Sequence, residues 1–123
     1  MKLVATLCFT GLLATPALTI SAPDVSGTWD VEMIWSADSK STGVCTFKQE
    51  GDNLTGNCGG ADKFPITGRV KDSRLSWQFD VKQDGVAGRM EFAGELDTQG
   101  TTITGSCSVV PGQDGTFTMK KLP

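Results

Sequence analysis

The side chains of this 123-residue chain that could form a covalent bond or transfer a proton include four cysteines and fourteen carboxylates. Histidine and tyrosine are absent, so the usual general base of nucleophilic catalysis is missing. A pair of carboxylates could serve a glycosidase, provided that one of them were desolvated beside a site. The candidates fall on the polar side of alternating segments, namely Asp30, Glu32, Asp80, Glu91 and Glu95. We therefore expect no catalytic residue and no enzyme.

Charge and motif spacing also restrict the partners. The formal net charge is −3 and the chain holds no run of basic residues, so neither nucleic acid nor an anionic membrane is an expected partner. No zinc-ligand spacing and no glycine-rich phosphate loop occurs. We accordingly expect no metal and no cofactor.

The cysteines predict one disulfide. A turn at Gly51-Asp52 sets a hairpin register in which Cys45 faces Cys58, and directly opposed residues of an antiparallel pair are close enough for a bridge once the strands twist. Cys107 is then a buried free thiol. The competing pair, Cys58 with Cys107, would require the third and seventh strands to face each other across the fold. Three inward thiolates without a histidine do not indicate a metal site.

The first residues have the pattern of a secretory signal peptide. Met1-Lys2 supplies a positive charge, an apolar run follows, and small residues lead to a cleavage zone near residues 17–22. The apolar run is shorter than the roughly 20 residues that span a bilayer. We expect residues 1–22 to be removed, residues 23–123 to form one domain, and the protein to be secreted or periplasmic.

Most of the remaining chain alternates apolar and polar residues in short segments between Gly, Asp, Asn and Pro clusters, a pattern typical of strands. The predicted strands are 28–36, 44–50, 53–59, 64–71, 75–82, 88–96, 101–109 and 115–121. One apolar face per strand indicates a sheet that packs on one side. The predicted fold is all-β, an eight-stranded antiparallel up-and-down β-barrel, with a flattened sandwich as the alternative.

A membrane barrel would need an apolar outside and longer strands. Here the polar side of each long strand carries charges, among them Asp80, Lys82, Glu91 and Lys120. We therefore expect no membrane insertion.

The predicted inward face is rich in large apolar side chains. Such residues either fill a core or line a pocket for a small apolar molecule, and they are Trp29, Met33, Trp35, Trp77, Phe79, Met90 and Phe92. A short repeat accompanies them, since residues 54–58 resemble residues 103–107, with 66–68 as a third, shorter copy. Its inward glycines are expected to let a bulky neighbour lie across the strand.

Gly27-Thr28-Trp29 resembles the motif that opens the first strand of the calycins, the barrel group of lipocalins, fatty-acid-binding proteins and avidins. The segment 45–56 and the late Gly115–Thr118 are similar to segments of small exported bacterial barrels of uncharacterised function. The resemblance implies an eight-stranded calycin-like barrel with its Trp closing one end. It implies no particular ligand, because the chain lacks the tyrosine needed to map an avidin pocket.

Two binding functions and a structural role in the cell envelope are compatible with these features. The first is binding of a small apolar ligand inside the barrel. The second is a protein-binding module, such as a periplasmic or secreted hydrolase inhibitor, acting through loops on a rigid barrel. The loops concerned are residues 36–43, 59–63, 83–87 and 111–114.

Overall fold

Eight strands account for nearly all of the domain in a computed structural model, which describes residues 23–36, 39–110 and 112–123. The predicted signal segment lies outside these residues. The strands are β1 (Gly27–Trp35), β2 (Lys40–Glu50), β3 (Asn53–Gly59), β4 (Lys63–Lys71), β5 (Arg74–Gln83), β6 (Val86–Leu96), β7 (Thr102–Val110) and β8 (Gln113–Lys121). They close into a barrel in chain order, with β8 beside β1 and every neighbour antiparallel. The predicted up-and-down barrel is confirmed. Within the described ranges no helix is long and apolar enough to cross a membrane.

One predicted strand began in the wrong place. The sequence indicated a loop over 36–43, whereas β2 already starts at Lys40 and pairs with β1 from Ile34 opposite Lys40. The inward positions there are Ser41 and Gly43. Because neither is apolar, the alternation that marks a half-buried strand is absent from the sequence, although the backbone pairs normally.

The strand register gives the barrel its shape. Paired residues can be followed from strand to strand around the barrel. From Trp35 on β1 the pairings lead to Gly115 on β8, then through Phe92, Trp77 and Leu54 to Gln49 on β2. Continued by the β1–β2 register, this path returns to β1 ten residues before its start. Such a stagger tilts the strands by roughly 35–45° and leaves an interior that side chains can fill or that can hold one small ligand.

An aromatic cluster fills the middle of the barrel. The Trp77 ring stacks on Phe92 with centroids 5.0 Å apart and planes at 4°. Phe47 and Phe117 meet Trp77 edge to face at 5.1 Å and 5.4 Å. Both arrangements are favourable for aromatic pairs, so the residues with the largest buried surface also contact one another.

Inward glycines make room for these rings. Gly68 lies opposite Trp77, and a Cβ atom at Gly68 would be 2.6 Å from Cβ of Trp77. A Cβ at Gly94 would be 2.8 Å from the Phe117 ring. Glycine is therefore a packing requirement at position 68, since any larger residue would clash with the Ser76 carbonyl oxygen and with the Cα and Cβ atoms of Trp77.

The end of the barrel at which β1 begins and β8 ends is closed. Trp29 is fully buried, and its Nε1 donates a hydrogen bond of 3.0 Å to the carbonyl of Val25. The Val25 N–H in turn donates to Oε1 of Gln49 at 2.9 Å, which holds the segment before β1 across the barrel base. The ammonium of Lys121 lies 5.8 Å from the centre of the Trp29 ring, within cation–π range.

The cysteines follow the hairpin register. Cys45 and Cys58 face each other and are bridged, with Cα atoms 4.0 Å apart. Closing a loop of this length contributes on the order of 3 kcal/mol in the chain-entropy model. Cys107 is buried and unbridged among the described residues, opposite Phe92, and burial raises the pKa of its thiol to about 11, with Asp114 adding a smaller upward shift.

Truncating Trp77 is expected to destabilise the barrel strongly. Trp77→Ala removes a side chain that is 2% exposed and contacts three other rings, so we expect the free energy of unfolding to fall by about 3–5 kcal/mol. Urea denaturation followed by circular dichroism measures the loss. The outward neighbour Gln78 is the matched control, and Gln78→Ala should cost less than about 0.5 kcal/mol. A loss below about 1 kcal/mol for Trp77→Ala would contradict its placement in the core.

Cys107 is expected to be chemically silent in the folded protein. Its thiol is buried, with the pKa raised to about 11, so little thiolate is present at pH 8. A chromogenic disulfide reagent should detect no thiol in the native domain (residues 23–123) at pH 8 and one in denaturant. Because the folded pKa lies above the unfolded one, the Cys107 contribution to stability is complete below about pH 9. This contribution to the free energy of unfolding should disappear as the pH rises towards 11. The Cys107→Ala variant should not lose stability in this way.

Candidate functional site at the loop end of the barrel

The two ends of the barrel differ in how completely they are packed. The turns after β1, β3, β5 and β7 all lie at one end, which we call the loop end. At the opposite end the inward side chains are essentially inaccessible, for example Leu54, Val70, Ile103 and Met119. At the loop end Trp35 and Phe79 are buried, but five other inward apolar residues are only partly buried, and these are Met33, Phe64, Val81, Met90 and Val109. A half-open apolar ring therefore surrounds the mouth of the barrel.

The structure distributes the seven predicted lining residues over three levels. Met33, Trp35, Phe79 and Met90 lie near the loop end. Trp77 and Phe92 form part of the central cluster, and the Trp29 ring lies at the closed end, where it is 0% exposed. The four residues of the first group are thus the ones placed where an incoming molecule would meet them.

Three residues of the mouth were missing from the predicted set. Phe64 directly precedes a proline, and Val109 comes at the end of β7, so each lies where the strand pattern weakens. Val81 belongs to a clearly alternating strand but lies between Asp80 and Lys82. The available signal was their position in the alternating pattern, because all three fall at positions that point inward, on the apolar side of their strands.

Four near-parallel rings connect the mouth with the barrel centre. Phe64 stacks on Phe79 with centroids 5.4 Å apart and planes at 12°. Phe79 stacks on Phe92 at 5.9 Å and 22°, and Phe92 stacks on Trp77. We call these four residues the ring column. It forms a continuous line of apolar contacts from the loop end to the barrel centre.

The ring column ends at an unsatisfied donor. The Nε1 atom of Trp77 is buried and has no hydrogen-bond partner. By contrast, Nε1 of Trp35 donates to Oγ of Ser41 at 3.1 Å, and that of Trp29 is satisfied as described above. A buried donor without an acceptor costs about 1–3 kcal/mol, so Trp77 is the position in the interior where an acceptor would be stabilising.

The interior carries no charge. Among the described residues none of the buried side chains is polar or charged, and the raised pKa keeps Cys107 neutral at ordinary pH. The described part of the chain also contains no group of three or more His, Cys, Asp or Glu side chains able to hold a metal ion. The chemistry offered at the loop end is therefore apolar and aromatic contact together with hydrogen-bond donation.

Comparison with known proteins relates the chain to designed barrels. No protein-family model matches it, and neither does any curated protein. Among solved structures it is similar to a redesigned β-barrel, mFAP1, bound to DFHBI, with a TM-score of 0.56 and 20% identity over 79% of this chain and 94% of that one. A second redesigned β-barrel matches with a TM-score of 0.52 and 18% identity, covering 83% of this chain and 97% of that one. At such identities the likeness shows the fold alone, an eight-stranded antiparallel barrel.

Proposed function

We propose that this protein is an exported calycin-like barrel that binds a small, uncharged, apolar molecule at its loop end. The observation that carries the proposal is the half-buried ring of Met33, Phe64, Val81, Met90 and Val109 around the mouth, above the ring column. A site of this kind buries apolar ligand surface without moving the backbone. The fully packed closed end provides the rigid support that such a site needs.

The chemistry of the ligand follows from the groups that face it. A charged ligand would lose its hydration and find no partner inside. An aromatic ligand gains from stacking on the ring column. A single hydrogen-bond acceptor on the ligand would satisfy Nε1 of Trp77, which supports an aromatic molecule with one acceptor over a plain hydrocarbon.

Two further findings support export and ligand binding. The Cys45–Cys58 disulfide is of the kind that forms and persists in oxidising compartments. The barrel neighbour mFAP1 is bound to DFHBI, so a barrel of this shape can hold a small molecule.

A protein-binding module is the second candidate. Three large apolar side chains are exposed close to the loop end, Ile34 at 45%, Val86 at 65% and Val110 at 45%. Exposed apolar residues on loop-bearing surfaces are typical of contacts with a protein partner, for example a hydrolase. Native mass spectrometry of the protein from its own compartment separates the candidates, because a carrier retains a mass of a few hundred daltons and an inhibitor retains a polypeptide.

A charge placed in the mouth is expected to abolish ligand binding. The probe is N-phenyl-1-naphthylamine, an uncharged apolar fluorophore whose emission rises in apolar surroundings. Met90→Asp puts an unpaired carboxylate into the half-buried ring, and we expect at least a tenfold weaker Kd because the charge has to be desolvated. The matched control is Ala87→Asp, at an exposed outward position of the same strand, which should leave the Kd unchanged. Equal effects of the two substitutions, or no binding to the unmodified protein, would contradict the proposed site.

A further inference from the structure

The barrel wall has one incomplete junction, between β4 and β5. Their ladder runs from Lys71 opposite Arg74 to Thr67 opposite Gln78 and ends there, although both strands continue towards the loop end. Every other junction pairs over seven to ten positions, against five at this one. Residues 63–66 of β4 therefore form no backbone pairs with residues 79–82 of β5. We call this part of the wall the split.

Pro65 accounts for the end of the ladder. Proline has no N–H, so its pairing with Asn57 on β3 must be of the non-hydrogen-bonded type. Along a strand, the backbone N–H and C=O groups of successive residues point in turn to one neighbouring strand and then to the other. Because the backbone groups of Pro65 do not point to β3, they point to β5. Continued in register, Pro65 would meet Asp80 in a hydrogen-bonded pair that lacks one of its two donors.

Two lysines add to the effect. In the same register Lys63 would face Lys82, and like charges directly opposed across a sheet are destabilising. The Asp80 carboxylate, which could offset them, pairs instead with Arg89 on β6, with Oδ1 3.5 Å from Nε. Among residues 63–66 and 79–82 no ion pair crosses from one strand to the other.

The split is covered from inside by two rings. Phe64 on β4 and Phe79 on β5 stack across it, and they are the first two members of the ring column. Side-chain rotation is enough to part these rings, with no backbone hydrogen bond to break. Elsewhere along the wall a molecule could pass only by breaking a paired ladder.

We infer that the ligand of the proposed site enters and leaves sideways through the split, with the Phe64–Phe79 stack as its gate. This inference rests on the proposed function and adds the route to it. The column then leads the ligand from the gate towards Trp77. Pro65, Lys63 and Lys82 serve to keep the wall unpaired and do not contact the bound ligand.

The test is a variant that completes the ladder. Pro65→Thr restores the missing N–H, and Lys82→Glu turns the repulsion with Lys63 into an attraction. In the double variant we expect association and dissociation rate constants for N-phenyl-1-naphthylamine, measured by stopped-flow fluorescence, to fall at least tenfold with the Kd within twofold. The matched control is Lys71→Glu, the same charge change opposite Arg74 in the paired half of this junction. Its rates should equal those of the unmodified protein.

Amide hydrogen exchange reports independently on closure. The Asp80 N–H should exchange rapidly in the unmodified protein and gain protection in the double variant. Protection gained with unchanged rates would overturn the inference, since the ligand would then be using the mouth between the loops. An Asp80 amide equally protected in both proteins would overturn it as well, because the split would not depend on these residues. Failure of the unmodified protein to bind the probe would instead refute the proposed function, with Asp80 exchange still reporting on the split.

Discussion

Closure of the sheet is the constraint on which the rest of the structure depends. Once β8 pairs with β1, nearly all of the interior has to come from one face of eight strands, so most of each strand keeps an apolar period of two. The stagger of ten residues fixes which inward residues share a level. Trp77 then lies between Phe92, on which it stacks, and Gly68, which has no side chain. Aromatic packing and glycine placement are two consequences of the same closed geometry.

The closed barrel is packed unevenly along its axis. At one end Trp29 is buried beneath the segment of Val25 and lies next to Lys121, and the small aliphatic side chains around it are inaccessible. At the loop end the inward residues are of similar apolar character, and although Trp35 is buried there, five of them remain partly exposed. The closed end and the central aromatic cluster are packed throughout, whereas the loop end keeps a half-open ring of apolar residues. The unsatisfied Nε1 of Trp77 lies in the central cluster, where the ring column ends.

The split between β4 and β5 lies beside this half-open region. Three local features oppose pairing there, namely the missing N–H of Pro65, the facing Lys63 and Lys82, and the pairing of Asp80 with Arg89. Local choices that conflict with the global fold are expected mainly at functional positions. The proposed binding site and the proposed route to it therefore lie at the same end of the barrel. The Cys45–Cys58 disulfide braces the adjacent wall, because Cys58 faces Phe64 across β3 and β4.

Whatever depends on short-range pattern was determined by the sequence. Alternation predicted the barrel, and the Gly51-Asp52 turn predicted the register that brings Cys45 to Cys58, because hairpin pairing is set by residues a few positions apart. The same reasoning missed the first residues of β2, where Ser41 and Gly43 carry no apolar signal. The resemblance implied that Trp29 closes one end, but only the tertiary structure showed which inward residues, such as Met33 and Met90, stay partly exposed at the other end. The tertiary structure also decided that β4 and β5 part beyond Thr67 and Gln78. Both depend on how distant strands are staggered around a closed barrel, and a single strand's pattern of alternation carries no information about its level on the barrel axis.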